Sequence, residues 1–176
     1  VFAWLGHDRT GDCSKMIICD IYEQRSGVPQ ALAKLTSVHN EPLAVGDYRY
    51  DTPNGCEIIE RKTFTDFWSS RFKARLQDQL YRICEGKCLP TLLLEQNVSE
   101  GFMLLLANAS DQAYLASIQR NFGVRVVFSP VKVATANIIF WLYKNDQKIT
   151  HKSVAPKLVK ATTADTQATA YAAVLP

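Results

Sequence analysis

The 176 residues are enough for one compact domain and leave little room for a second. With 47% hydrophobic and 21% charged residues, the chain is excluded from the disordered, collagen-like and coiled-coil classes, and no apolar run approaches the ~18–20 residues of a membrane-spanning helix. Its 20 basic and 17 acidic side chains, net +3, imply no partner by themselves.

Residues 1–15, polar and carrying Gly6 and Gly11, read as an irregular leader. The chain opens Val-Phe-Ala-Trp, with no basic region or apolar core of a secretory signal and no initiating Met, as a piece of a longer protein would. Residues 16–20 (MIICD) are a buried strand that delivers Asp20 to its C-terminal end. Pro29 suits the first turn of a helix continuing over 30–37. Residues 41–45 read as a strand stopping at Gly46-Asp47, with 48–50 as a candidate continuation. Residues 51–55 (Asp-Thr-Pro-Asn-Gly) are a turn, and 56–62 its return strand, which closes a hairpin.

Thr63 or Thr65 caps a helix over 63–68. Phe72, Leu76, Leu80 and Ile83 recur at helical spacing over 71–84, and Arg71, Arg75 and Arg82 fall on a different face of that helix. Residues 90–94 (PTLLL) are a buried strand ending at Glu95. Helix 111–122, terminated by Gly123, strand 124–128 and an apolar helix 131–145 follow. Residues 147–176, basic and then rich in Ala and Thr, read as a linker or tail. This order of elements is an α/β fold with a mixed central sheet flanked by helices, carried by residues 16–146.

Cys13, Cys19, Cys56, Cys84 and Cys88 are odd in number and irregular in spacing, so free thiols are expected rather than a disulfide framework. Cys84 and Cys88 lack the partners of a zinc site.

Charge is unevenly distributed. Residues 1–60 hold nine acids against five bases, and residues 61–88 seven bases against three acids. That order could be a metal site beside a phosphate-binding surface, although on charge alone a set of solvated helix faces is the plainer reading. The chemistry concentrates on strand 56–62. Alternation puts Ile58, Glu60 and Lys62 on one face and Ile59 and Arg61 on the other. Asp47, across the hairpin turn, can come into register beside Glu60. Two carboxylates so placed form a hard oxygen site for Mg²⁺ or Mn²⁺. A neighbouring lysine can act on a water or offset phosphate charge. Asp66 and Asp20 could extend the cage. Taken singly, a Glu-x-Lys pair is commonplace, Gly-Asp is often a turn, and Asp66 suits a helix N-terminus.

Val45-Gly-Asp-Tyr48 followed by Ile59-Glu-Arg-Lys-Thr-Phe-Thr-Asp66 resembles the GDY…ERKxxxD pattern of the XPF-type structure-selective endonucleases, a branch of the restriction-endonuclease-like superfamily. Ile17–Asp20 followed by Glu23, Arg25-Ser26 and Pro29 is similar to the family's opening strand and D-x-R-E…P stretch, with Tyr22 where that pattern has Arg. Arg75-Leu76 with Gln79 is similar to its R-L-x-x-Q helix, and the strand ending at Glu95 to the one that follows. The resemblance implies a Mg²⁺-dependent endodeoxyribonuclease, with Mn²⁺ as a substitute, acting on branched DNA in repair or recombination. It implies an intracellular protein, nuclear in a eukaryote, that works as a homodimer or as a heterodimer with a related subunit.

Carried over by residue, Asp20, Asp47 and Glu60 would bind the metal, and Lys62 would act on the attacking water or the phosphate. Arg61 would hold the site, Asp66 would support it, and Arg25, Arg71, Lys73, Arg75 and Arg82 would contact DNA. The segment 131–143 is apolar on more than one helical face, which on pattern alone suits a central core helix as well as an interface. Its place at the end of the fold and the dimers of the family it resembles imply a dimer with part of Ile138, Ile139, Trp141, Leu142 and Tyr143 in the interface. A catalytically inactive relative that scaffolds DNA or a partner is the alternative, and a restriction-type or recombination nuclease sharing only the core fold is a third.

Overall fold

The computed structural model describes residues 16–148 except Asn54, Lys73 and 97–108, and describes only the backbone of 70–72. The leader and nearly all of the tail lie outside it. Among the described residues, six strands form one mixed sheet in the order β2-β1-β3-β4-β5-β6. They are β1 (Ile17–Asp20), β2 (Val38–Glu41), β3 (Tyr48–Thr52), β4 (Gly55–Thr63), β5 (Cys88–Glu95) and β6 (Arg125–Ser129). The helices are a 3-10 helix (Ile21–Ser26), α1 (Val28–Leu32), α2 (Phe64–Phe72), α3 (Arg75–Glu85), α4 (Ala109–Phe122) and α5 (Lys132–Asp146). Strands β3 and β4 form the antiparallel hairpin, while β4, β5 and β6 run parallel. This is the α/β fold with a mixed central sheet flanked by helices that the order of elements predicts. Among the described residues no helix is long and apolar enough to cross a membrane.

Alternation along the strands divides the core in two. Ile58, Leu92 and Leu94 face α2, α3 and α4. Ile59 and Leu93 face the opposite way, onto α1 and α5 with Tyr48 and Tyr50. The unbroken apolar run of β5 follows from burial on both faces. Leu76, Leu80 and Ile83 seat α3 on the sheet, all fully buried and each contributing roughly 1.5–3 kcal/mol.

Four expectations are corrected. The second strand is Val38–Glu41 rather than 41–45, because Pro42 lacks the N–H a ladder needs. The helix expected over 30–37 stops at Leu32. The basic helix is two, α2 and α3, parted at Ala74, whose φ of 54° interrupts the helical run. Cys56 and Cys88 are joined in a disulfide rather than free. They are direct partners in the parallel β4–β5 register, with Cα atoms 4.7 Å apart, a pairing that their separation of 32 residues conceals. Cys19 and Cys84 are free thiols, and burial pushes the Cys19 thiol up to about 12.

Candidate active site

The end of the sheet where β1, β4 and β5 finish and β3 begins holds a polar cleft of about 310 Å³. Glu23, Asp47, Glu60, Arg61, Lys62, Thr63, Asp66, Ser69 and Arg75 line it. Strand β4 supplies its centre. Glu60 and Lys62 lie toward α3 while Arg61 points to the other face, as alternation requires.

Asp47 is fixed by the backbone. Its N–H donates to the Ile59 carbonyl at 2.9 Å, and its Oδ2 accepts from the Arg61 N–H at 2.7 Å. Gly46 makes this approach possible. Its φ is 78°, and a Cβ there would sit 2.2 Å from Ile58 Cγ2, so only glycine lets the loop press onto β4.

Arg61 joins two acids from separate elements. Nε and Nη2 grip both oxygens of Glu95 at 2.9 and 2.7 Å, and Nη1 donates to Glu23 Oε1 at 3.0 Å. Tyr48 OH donates to that same oxygen at 3.0 Å. Thr135, from α5, donates to Glu95 Oε2 at 2.7 Å. Burial raises the Glu95 carboxyl, but Arg61 and Thr135 outweigh it and hold the group below its ordinary 4.5.

The other acids repel one another. Burial first, then Glu60 and Glu23, drive the Asp47 carboxyl well above its ordinary range, against the pull of the Arg61 N–H and Lys62. Lys62 Nζ donates to Glu60 Oε1 at 2.8 Å, and Gln79 Nε2, from α3, reaches the same oxygen at 2.8 Å. Thr63 Oγ1 accepts from the Asp66 N–H at 3.2 Å and donates to its Oδ2 at 2.9 Å. Asp66 thus belongs to the α2 cap while lining the cleft.

Not every expected residue is drawn in. Asp20 is not among the lining residues. Its Oδ1 accepts the Tyr22 N–H at 3.0 Å as cap of the 3-10 helix, and that helix sends Glu23 into the cleft instead. Two signals point to Glu23 from sequence: its place in the D-x-R-E…P resemblance, and the Asp20-x-x-Glu23 spacing of a helix start after a strand. Arg75 lines the cleft. Arg82 turns away and donates to the Ala44 carbonyl at 2.6 Å, and Arg25 is exposed on the 3-10 helix. Lys73 and the Arg71 side chain lie outside the described residues. In α5, Ile139 and Tyr143 are core residues rather than interface, because they share the sheet-facing stripe with Ala136.

Among the described residues no three His, Cys, Asp or Glu side chains gather closely enough to cage a metal alone. A Mg²⁺ ion keeps several waters and takes as few as one or two protein carboxylates. Asp47 and Glu60, mutually repelling in one cleft, fit that donor set.

Residues 19–142 match the family model described as the ERCC4 domain. The chain is 29% identical over 124 residues to the 3′-flap repair endonuclease Xpf of Saccharolobus solfataricus, across 70% of this chain and 52% of that protein. It therefore spans about half the length of that curated relative. Its fold is similar to that of XPF from Aeropyrum pernix in complex with DNA, with a TM-score of 0.63 and 30% identity over 74% of this chain and 64% of that one. A second structure of XPF from that organism gives a TM-score of 0.64 and 29% identity over 76% and 66% of the two chains. Sheet order, cleft and matched residues together make this chain a member of the ERCC4 domain family, that of the XPF-type nucleases.

Proposed function

We propose that the chain is a metal-dependent DNA endonuclease domain, hydrolysing phosphodiester bonds at a flap, fork or junction in repair or recombination. The observation that carries this reading is the convergence of Asp47, Glu60 and Lys62 in one polar cleft with Arg75. The relatives support the substrate class, one being named a 3′-flap repair endonuclease and another having been solved with DNA.

In this reading Asp47 and Glu60 hold Mg²⁺, or Mn²⁺ in its place. The ion supplies Lewis-acid polarisation of the phosphate and a water of lowered pKa. Lys62, tethered to Glu60, orients the attacking water or offsets the charge of the pentacovalent phosphate. The water oxygen bonds to phosphorus as the bond to the leaving deoxyribose oxygen breaks. Arg61 fixes Asp47, Glu23 and Glu95 in place. Arg75, with Arg25, Arg71 and Lys73, contacts the DNA backbone. The active form is a dimer, with itself or with a related subunit, through the outward side of α5.

The second reading, an inactive scaffold, draws support from Tyr22, which stands 75% exposed where the family pattern has Arg. Incubation with labelled flap, fork and linear duplexes, in Mg²⁺ and in EDTA, separates the two. Cleavage of branched DNA that needs Mg²⁺ is expected. Glu60→Gln or Asp47→Asn should slow it about a thousandfold or more without unfolding the chain, since metal and activated water are lost together. Binding without cleavage in any divalent cation leaves the scaffold. Wild-type rates in Glu60→Gln overturn the assignment.

A further inference from the structure

Four carboxylates meet the cleft; Asp66 is tied to Thr63 at the start of its own helix, and the other three each have one oxygen held by protein donors. Asp47 Oδ2 takes the Arg61 N–H. Glu23 Oε1 takes Arg61 Nη1 and Tyr48 OH. Glu60 Oε1 takes both Lys62 Nζ and Gln79 Nε2. Of these donors, only Gln79 comes from a helix on the far side of the cleft, α3, and it sits one turn after Arg75, on the same helical face.

Packing does not account for Gln79. Leu76, Leu80 and Ile83 already seat α3, all fully buried. The carboxylate dictates the amide's orientation, because only the NH₂ end can approach Glu60 Oε1 at 2.8 Å. That orientation leaves Gln79 Oε1 buried without a hydrogen-bond partner among the described residues. An orphaned buried acceptor is a standing cost, kept where something else is gained.

We propose that Gln79 is a positioning residue for Glu60. With Lys62 it saturates Oε1, so that Oε2 is presented to the cation, and it ties the cation site to the helix that carries Arg75. The proposal rests on the reading of Asp47 and Glu60 as metal-binding. Neutral outer-shell partners of ligating carboxylates typically set metal affinity by 10–100-fold.

The test is Mn²⁺ binding to the protein without DNA, followed by electron paramagnetic resonance, for the wild type, Glu60→Gln and Gln79→Met. Methionine keeps the length and apolar stem of glutamine and removes the donor. The expected result is about tenfold weaker Mn²⁺ binding in Gln79→Met, with an unchanged melting temperature and unchanged DNA binding in EDTA. In cleavage assays, half-saturation in Mg²⁺ should rise by a similar factor, while the rate at saturating Mg²⁺ falls less than threefold. A merely structural glutamine would move stability and leave this split absent. Mn²⁺ affinity in Gln79→Met within twofold of wild type overturns the proposal alone. Wild-type Mn²⁺ binding that Glu60→Gln does not weaken overturns the metal reading, and this proposal with it. Should Gln79→Met melt early, Gln79→Leu is measured in its place against the same criteria.

Discussion

Arg61 makes contacts that no other side chain in the cleft combines. Its backbone N–H holds Asp47, one guanidinium edge holds Glu95 and another nitrogen holds Glu23. Guanidinium and Glu95 are both largely out of water, at 10% and 7% side-chain exposure. Removing one member of such a pair strands the other, at about 3–5 kcal/mol. Glu95→Gln is expected near the lower end, about 3 kcal/mol at neutral pH, because Glu23 still faces Arg61. The pH dependence has a definite sign. The Glu95 carboxyl titrates below its ordinary 4.5 in the folded chain, so its contribution is complete above 4.5 and drains as pH falls through the folded value. Urea midpoints measured from pH 7 down to pH 3 check this: the gap between wild type and Glu95→Gln should close on the acid side. A gap of constant size would mean that the Arg61–Glu95 pair does not titrate with stability.

At the scale of elements, strand β4 was legible from sequence because a period of two leaves no choice of face once one residue is placed. Ile58 and Glu60 had to oppose Ile59 and Arg61, and the Asp-Thr-Pro-Asn-Gly turn had to bring Asp47 alongside. The 3-10 helix was not read from sequence, since six residues show no apolar periodicity and the Asp20-x-x-Glu23 spacing alone does not fix a helix, and with it went the replacement of Asp20 by Glu23 in the cleft. The Cys56–Cys88 bond was hidden for another reason: it follows from the β4–β5 register, a tertiary fact. The split of the basic helix at Ala74 has a functional consequence. It starts α3 at Arg75, so that Arg75 lines the cleft while Arg82, two turns on, braces the Ala44 carbonyl. Backbone contacts to phosphate carry no sequence code. Arg75→Gln is therefore expected to weaken binding alike on all sequences and to flatten the log–log salt dependence by about 0.9 for one phosphate contact. Arg82→Gln should leave the slope unchanged. Fluorescence anisotropy between low and moderate salt measures both, and an unaltered slope for Arg75→Gln would put the DNA track elsewhere.

For the molecule as a whole, the apolar length of α5 has two destinations. Ala136, Ile139 and Tyr143 go to the sheet. Ala134, Ile138, Trp141 and Leu142 border a shallow groove of about 340 Å³ with Asn137 and Asn145 at its polar edge, Ile138 and Leu142 also packing against the core from its flanks. Trp141 is 59% exposed and Val133 67%. A helix that already buries one apolar stripe and shows a tryptophan on the other has the make-up of an interface, where aromatic anchors concentrate binding energy. Its base is wired to the cleft, because Thr135 of the same helix holds the Glu95 that holds Arg61. The expected assembly is a dimer through Ile138, Trp141 and Leu142. Trp141→Glu would bury an unpaired charge there, so it should split the dimer while the monomer melts at the wild-type temperature, its position being outside the core. Sedimentation velocity at micromolar concentration reads the result. A wild-type chain that runs as a monomer, alone and mixed with a related subunit, would leave the groove without this role. Dissociation accompanied by early melting would mean that Trp141 supports the fold instead.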